Sequence, residues 1–183
     1  MGSHGNLEEK VVESTRIYEG RVVSLRRDSL LLPSGKSYDR EVVEHRGAVA
    51  AVPLLNDNAV VLVQQYRHAA GEVLLEIPAG TLNLDETPED CMRRELVEEI
   101  GYHPGRLEKL LTLYLAPGYS SELIHIYLAT DLIETGASPD EDEFIEVVKL
   151  DLSEVLKMIF ELKIRDAKTI CGILTYYLRK RNH

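Results

Sequence analysis

The stretch Arg94-Glu95-Leu96-Val97-Glu98-Glu99 sets three glutamates at one-turn spacings, with Glu86 a short distance upstream. Thr87 is a candidate N-cap, Pro88 suits the first helical position, Asp90 sits where a capping-box acid would, and Gly101 supplies a stop, so a helix is predicted over Pro88 to Ile100. At about 100° per residue, Met92, Leu96 and Ile100 form its core stripe, Glu95 and Glu99 fall on the flank of that stripe, and Glu98 lies slightly beyond. Like charges at such spacings cost an isolated helix about 0.2–0.5 kcal/mol per pair, and a merely solvated face would interleave lysines to avoid this. Carboxylates gathered at the edge of an apolar wall suit a hard divalent cation. Mg²⁺ in particular takes one or two carboxylates, water and substrate phosphate oxygens. On these residues alone, an acidic surface helix is the competing reading.

The rest of the chain must position that helix. Its 183 residues are 44% hydrophobic, enough for one well-cored domain with an appended arm. A formal charge of −10 removes the electrostatic footprint of general nucleic-acid or anionic-membrane binding, so a polyanionic substrate has to be met by local cations or a metal. There is no apolar run of membrane-spanning length and no signal-like segment, which makes a soluble cytoplasmic protein the expectation. Met1 to His4 read as an appended tag. Cys91 and Cys171 lack C-x-x-C spacing and read as reduced core thiols.

From Thr15 to Arg67 the pattern is strand-like, with turns at Pro33-Ser34-Gly35-Lys36 and Asn56-Asp57-Asn58. After the acidic helix, strands are expected near Leu107 to Leu115, Leu123 to Thr130 and Phe144 to Leu150, then helices from Ser153 to Leu162 and Ala167 to Lys180, the last capped by Asp166. This order predicts an α+β layered fold with a mixed sheet. Residues 1–45 carry little apolar mass and form an antiparallel strand arm that needs a partner surface; residues 46–183 form the main domain.

Gly80, Glu86, Arg94, Glu95, Leu96, Glu98, Glu99 and Gly101 match the fixed positions of G-x5-E-x7-R-E-U-x-E-E-x-G-U, the Nudix box, with Tyr102 departing from the usual aliphatic residue at its end. The chain thus resembles the Nudix hydrolases. The resemblance implies the αβα-sandwich Nudix fold and hydrolysis of a nucleoside diphosphate linked to another moiety. It assigns metal binding to Glu95 and Glu99, a ligating or water-orienting role to Glu98, and a metal-facing backbone carbonyl to Ala79. Glu86 and Arg94 resemble the pair that fixes the box loop to its helix, with Gly80 and Gly101 structural.

Outside the box, Leu75-Glu76-Ile77-Pro78-Ala79-Gly80, Pro117 in Ala116-Pro117-Gly118-Tyr119-Ser120-Ser121-Glu122, the acidic Pro139-Asp140-Glu141-Asp142-Glu143 and the later Arg165-Asp166-Ala167-Lys168-Thr169 are similar to the ADP-ribose pyrophosphatase branch. That similarity implies Mg²⁺-dependent cleavage of ADP-ribose to AMP and ribose 5-phosphate with two or three ions, Mn²⁺ being able to substitute. By the same similarity Arg67 contacts phosphate or terminal ribose, Glu76 a ribose or adenine edge, and Tyr18, Arg26 and Arg27 stack on adenine, with Gly118 and Glu122 also at the substrate. The same similarity makes Glu143 an extra metal ligand and Glu98, Glu141 or Glu122 the general base. A homodimer with exchanged N-terminal arms is implied. The alternatives are a Nudix hydrolase of another nucleotide or nucleoside diphosphate sugar, and a module that binds ADP-ribose without cutting it.

Overall fold

The computed structural model describes residues 7–137 and 144–182, so Glu141 and Glu143 lie outside the described residues. The chain divides into two compact units, one running through Gly47 and taking in Tyr114–Leu123, the other formed by Ala48–Leu113 and the chain from Ile124 on.

In the first unit, β1 (Lys10–Glu19), β2 (Val23–Leu31) and β3 (Ser37–His45) form an antiparallel meander. Strand β1 begins at Lys10, ahead of the Thr15 expected from the sequence, because Lys10 and Val11 pair with Leu31 and Leu30. Every residue of β1 is exposed, in keeping with the low apolar content of this region. The Ala116–Glu122 segment belongs to this unit. The cause is backbone pairing: the Val43 N–H donates to the Tyr119 carbonyl at 2.8 Å and the Ser121 N–H to the Val43 carbonyl at 3.0 Å.

The second unit contains β4 (Ala48–Pro53), β5 (Ala59–Arg67), β6 (Glu72–Glu76), β7 (Ala79–Thr81), α1 (Pro88–Ile100), β8 (Tyr102–Tyr114), β9 (Leu123–Glu134), β10 (Ile145–Asp151), α2 (Leu152–Phe160) and α3 (Ala167–Arg181). A mixed sheet runs β7-β4-β9-β8, with β4 parallel to β9 and antiparallel to β7; a second, antiparallel sheet runs β10-β5-β6. Strand β4 is the uninterrupted run Ala-Val-Ala-Ala-Val-Pro, and its continuous burial follows from helices covering both of its faces. Ala48, Ala50 and Val52 join Leu62, Val155, Ile159 and Ile173 in the core beneath α2 and α3. Val49 and Ala51, facing the other way, join Val61, Val63, Met92, Leu96 and Ile100 beneath α1. Sheet between helices gives the αβα sandwich, and each fully buried Leu, Ile, Met or Val contributes about 1.5–3 kcal/mol. Strand β8 begins directly at Tyr102, earlier than the expected Leu107, because Gly101 turns the chain at φ 75°.

Cys91 is fully buried in the α1 core, where burial pushes its thiol up to about 12; Cys171 is half-buried, and both are unbridged. No helix among the described residues is long and apolar enough to cross a membrane.

Candidate active site

Helix α1 starts where its cap residues say it should. The Asp90 N–H donates to Thr87 Oγ1 at 3.2 Å, the Thr87 hydroxyl donates to Asp90 Oδ2 at 2.6 Å, and Pro88 occupies the first turn. At the other end the Gly101 N–H donates to the Leu96 and Val97 carbonyls. A Cβ on Gly101 would stand 2.5 Å from the Ala137 backbone nitrogen. With both ends fixed, the helix presents Glu95 and Glu99 at the rim of its buried face, 8% and 3% exposed, while Glu98 is more open.

Arg94 organises these acids. Its Nε and Nη2 donate to Glu86 Oε1 and Oε2 at 2.9 and 3.1 Å, and its Nη1 donates to Glu95 Oε1 and Glu98 Oε2, both at 2.8 Å. Glu86 also accepts the Asn83 N–H at 3.1 Å, so the loop ahead of α1 is tied to the helix through one carboxylate. The Arg94 guanidinium, seconded by the Asn83 amide, pulls the Glu86 carboxyl down to about 2. A carboxylate depressed in this way contributes stability above its unfolded value of 4.5 and loses it as pH falls through the folded value. Unfolding free energy is therefore expected to drop between about pH 4.5 and 2. Denaturant titrations across that window check this: Glu86→Gln should flatten the slope, and an unchanged slope would contradict the tie.

Strand β7 closes on the same face. The Ala79 N–H donates to Glu99 Oε2 at 2.9 Å. Gly80 lies so close to Glu95 that a Cβ there would stand 1.9 Å from Glu95 Cδ and Oε1. The bare backbone is a cradle for that carboxylate, which is the reason for glycine here.

Arg67 and Glu76 meet each other. Arg67 Nε and Nη2 donate to Glu76 Oε1 and Oε2, each at 2.9 Å, leaving the Arg67 side chain 40% exposed and Glu76 1% exposed. The expectation that Glu76 offers an edge to ribose or adenine does not match this arrangement, since both of its oxygens are held inside the protein. Lys168, in the first turn of α3, donates to the same carboxylate. Burial pushes the Glu76 carboxyl up, but Arg67 and Lys168 outweigh it and leave its pKa below the ordinary value. Sequence reasoning placed Lys168 in a branch-like segment but gave it no role. Its signal was a lysine in a helix first turn, where the dipole disfavours a cation unless an anion compensates.

In the first unit, Tyr18 and Arg27 are exposed. Arg26 is different: its guanidinium is committed to Asp28, at 2.9 and 3.0 Å, and to Glu44, so its donors serve the arm's own sheet. Gly118 has open space around its Cα. Glu122 Oε1 stands 4.0 Å from His45 Nδ1, and its N–H donates to Ser120 Oγ at 3.1 Å.

Glu95, Glu98 and Glu99 offer oxygen donors, which fit a hard cation such as Mg²⁺, while the nearby Cys91 thiol accepts from Arg94 Nη2 at 3.3 Å and is pushed up to about 12 by burial, so it supplies no thiolate. Among the described residues no three acidic, His or Cys side chains form a ready-made metal cage. Arg94 and the Ala79 amide engage oxygens of these acids, and Mg²⁺, which draws much of its shell from water and phosphate, does not need an all-protein cage. Glu95 and Glu99 are accordingly the residues that would hold such an ion.

Family comparison places the chemistry. Residues 44–171 match the NUDIX domain, and residues 9–43 match the nucleoside diphosphate sugar hydrolase N-terminal domain. The chain is 42% identical to the methanol dehydrogenase activator of Bacillus methanolicus, over 91% of each chain. It is 37% identical to the ADP-ribose pyrophosphatase of Bacillus subtilis (strain 168), over 96% of each. A crystal structure of an ADP compounds hydrolase superposes with a TM-score of 0.86 over 98% of both chains at 21% identity, a likeness of fold. The box residues assembled around α1, the domain match and these relatives together make the chain a Nudix hydrolase, a member of the NUDIX family.

Proposed function

We propose that this protein hydrolyses the pyrophosphate bond of ADP-ribose to AMP and ribose 5-phosphate, with Mg²⁺ held by Glu95, Glu99 and the Ala79 carbonyl. The observation that supports this is the packing of buried Glu95 against the bare backbone of Gly80 with buried Glu99 bonded to the neighbouring Ala79 amide, two carboxylates against one short strand. Similarity to an ADP-ribose pyrophosphatase along nearly the whole chain supports the substrate. A divalent cation held by these residues would neutralise phosphoryl charge and lower the pKa of a water it binds.

The chain's own groups do the rest. Arg67 presents a fixed cation to the diphosphate. Glu98, the most open of the three helix acids, orients or deprotonates the attacking water, with Glu122 and Glu141 as the competing bases and Glu143 as an extra metal ligand, the last two lying outside the described residues. Tyr18 and Arg27 stack on adenine, Arg26 braces the strand beside them, and Gly118 leaves room for the ligand. The 1–45 arm serves a homodimer with exchanged arms, the 46–183 domain does the chemistry, and the enzyme works in the cytoplasm. Release of AMP from ADP-ribose, compared with turnover of GDP-mannose, UDP-glucose, NADH and 8-oxo-dGTP with and without Mg²⁺, tests the reading. ADP-ribose should have the highest kcat/KM and require the ion; a better substrate, or tight ADP-ribose binding without AMP, would overturn it.

A further inference from the structure

Lys168 is 9% exposed, at the start of α3 and far along the chain from the strand it touches. Its Nζ donates to Glu76 Oε2 and lies 3.0 Å from Asp166 Oδ1. Asp166 is also the N-cap, accepting the Thr169 N–H at 2.9 Å, and Thr169 Oγ1 accepts the Ile77 N–H at 2.8 Å. The first turn of α3 thus grips β6 and the residue after it at two successive positions, Glu76 and Ile77. The Ala79 amide is held by Glu99 just beyond.

Glu76 is the shared anion of two cations, of which Arg67 is far the more exposed, its side chain 40% exposed against 10% for Lys168. Lys168 neutralises and fixes the carboxylate from the inside. Arg67 takes both oxygens from the outside through Nε and Nη2, which turns its Nη1 edge away from Glu76. The same guanidinium feels the field of Glu99. A bidentate pair without Lys168 would keep two N–H···O bonds but lose the third contact that stops the carboxylate swinging about its χ angles. Such a pair would carry the outer cation less rigidly, and a loosely placed cation binds a diphosphate less well.

We propose that Lys168 is a positioning residue that, through the buried Glu76 carboxylate, sets the Arg67 guanidinium against the diphosphate of the substrate. This rests on the reading of Arg67 as a phosphate contact. Steady-state kinetics on ADP-ribose and calorimetric binding of inorganic pyrophosphate with Mg²⁺, both on the full chain, test it. Lys168→Met should raise KM and the pyrophosphate Kd about tenfold with kcat changed less than about twofold, and Lys168→Arg should recover most of the loss. In an Arg67→Ala background the Lys168→Met effect should vanish. A merely structural lysine would lower the folded fraction, and so the apparent kcat, without moving KM. Should Lys168→Met not fold, the neutralised pair Glu76→Gln with Lys168→Met replaces it and should give the same rise in KM. Unchanged KM and Kd in the folded variant, or an undiminished effect in the Arg67→Ala background, overturns the assignment. If the wild-type chain fails to cleave ADP-ribose, the substrate reading falls alone, because the pyrophosphate Kd still reports on Lys168.

Discussion

Glu95→Gln is expected to lower kcat for ADP-ribose by about 10² to 10³ while leaving the fold intact. The replacement keeps the shape of the side chain and removes one negative charge from the α1 face. Arg94 retains Glu86 and Glu98 as charged partners, so its guanidinium is not left without an anion. The stability change should accordingly stay within about 1 kcal/mol, inside the range of ordinary substitutions. Circular dichroism melting and AMP release in a Mg²⁺ titration separate the two quantities. A folded Glu95→Gln enzyme with wild-type kcat and the same Mg²⁺ response would contradict the role given to this carboxylate.

Gly80→Ala should reach a similar loss by a different route. The added methyl would stand 1.9 Å from Glu95 Cδ and 2.4 Å from Cγ, closer than any real contact, so something must move. The neighbour is the end of a glutamate side chain rather than backbone, and a glutamate can swing aside at modest cost. The fold should therefore survive, with the carboxylate displaced by an ångström or more. A misplacement of that size in a reacting constellation costs about 10² in rate. Far-UV circular dichroism like that of wild type with kcat about a hundredfold lower is the expected pair of results. Activity within twofold of wild type would show that the close approach of Gly80 and Glu95 is incidental.

What could be read from the sequence, and what could not, divides by distance along the chain. The ends of α1 were legible because Thr87, Pro88 and Gly101 act on their immediate neighbours, and the same periodicity put Glu95 and Glu99 on the flank of the apolar stripe. Strand β4 was legible as part of the strand-like run from Thr15 to Arg67, though not its burial on both faces. Lys168 was not, since its partner Glu76 is brought to it only by packing of α3 on the sheet. The same holds for Arg26. Its residue type suits stacking on a base, yet the partners that claim it, Asp28 and Glu44, meet it through strand geometry and β2–β3 pairing. The grouping of Ala116–Glu122 with the arm was hidden for the same reason, because it depends on backbone bonds to Val43. Local rules expose caps, stripes and motifs; they are silent on which charges neutralise each other across a sheet.

The proposed site would also account for how an acidic chain handles a polyanion. With a formal charge of −10, long-range attraction is absent, and Arg67 is raised above the ordinary guanidinium range by its bonds to Glu76, with Glu99 and Asp166 adding to it. Its charge is therefore fixed at every physiological pH. At the proposed metal site the Glu95 and Glu99 carboxylates would repel the diphosphate until a cation intervened, so ion and diphosphate should bind cooperatively.

The most direct measurement is a crystal structure of the full chain with Mn²⁺ and a non-hydrolysable ADP-ribose analogue, the metal being located by its anomalous scattering. Manganese bound by the Glu95 and Glu99 carboxylates and by the diphosphate oxygens is the expected result. A bound nucleotide whose manganese lies elsewhere, with Glu95 still on Arg94 and Glu99 still on the Ala79 amide, would contradict it.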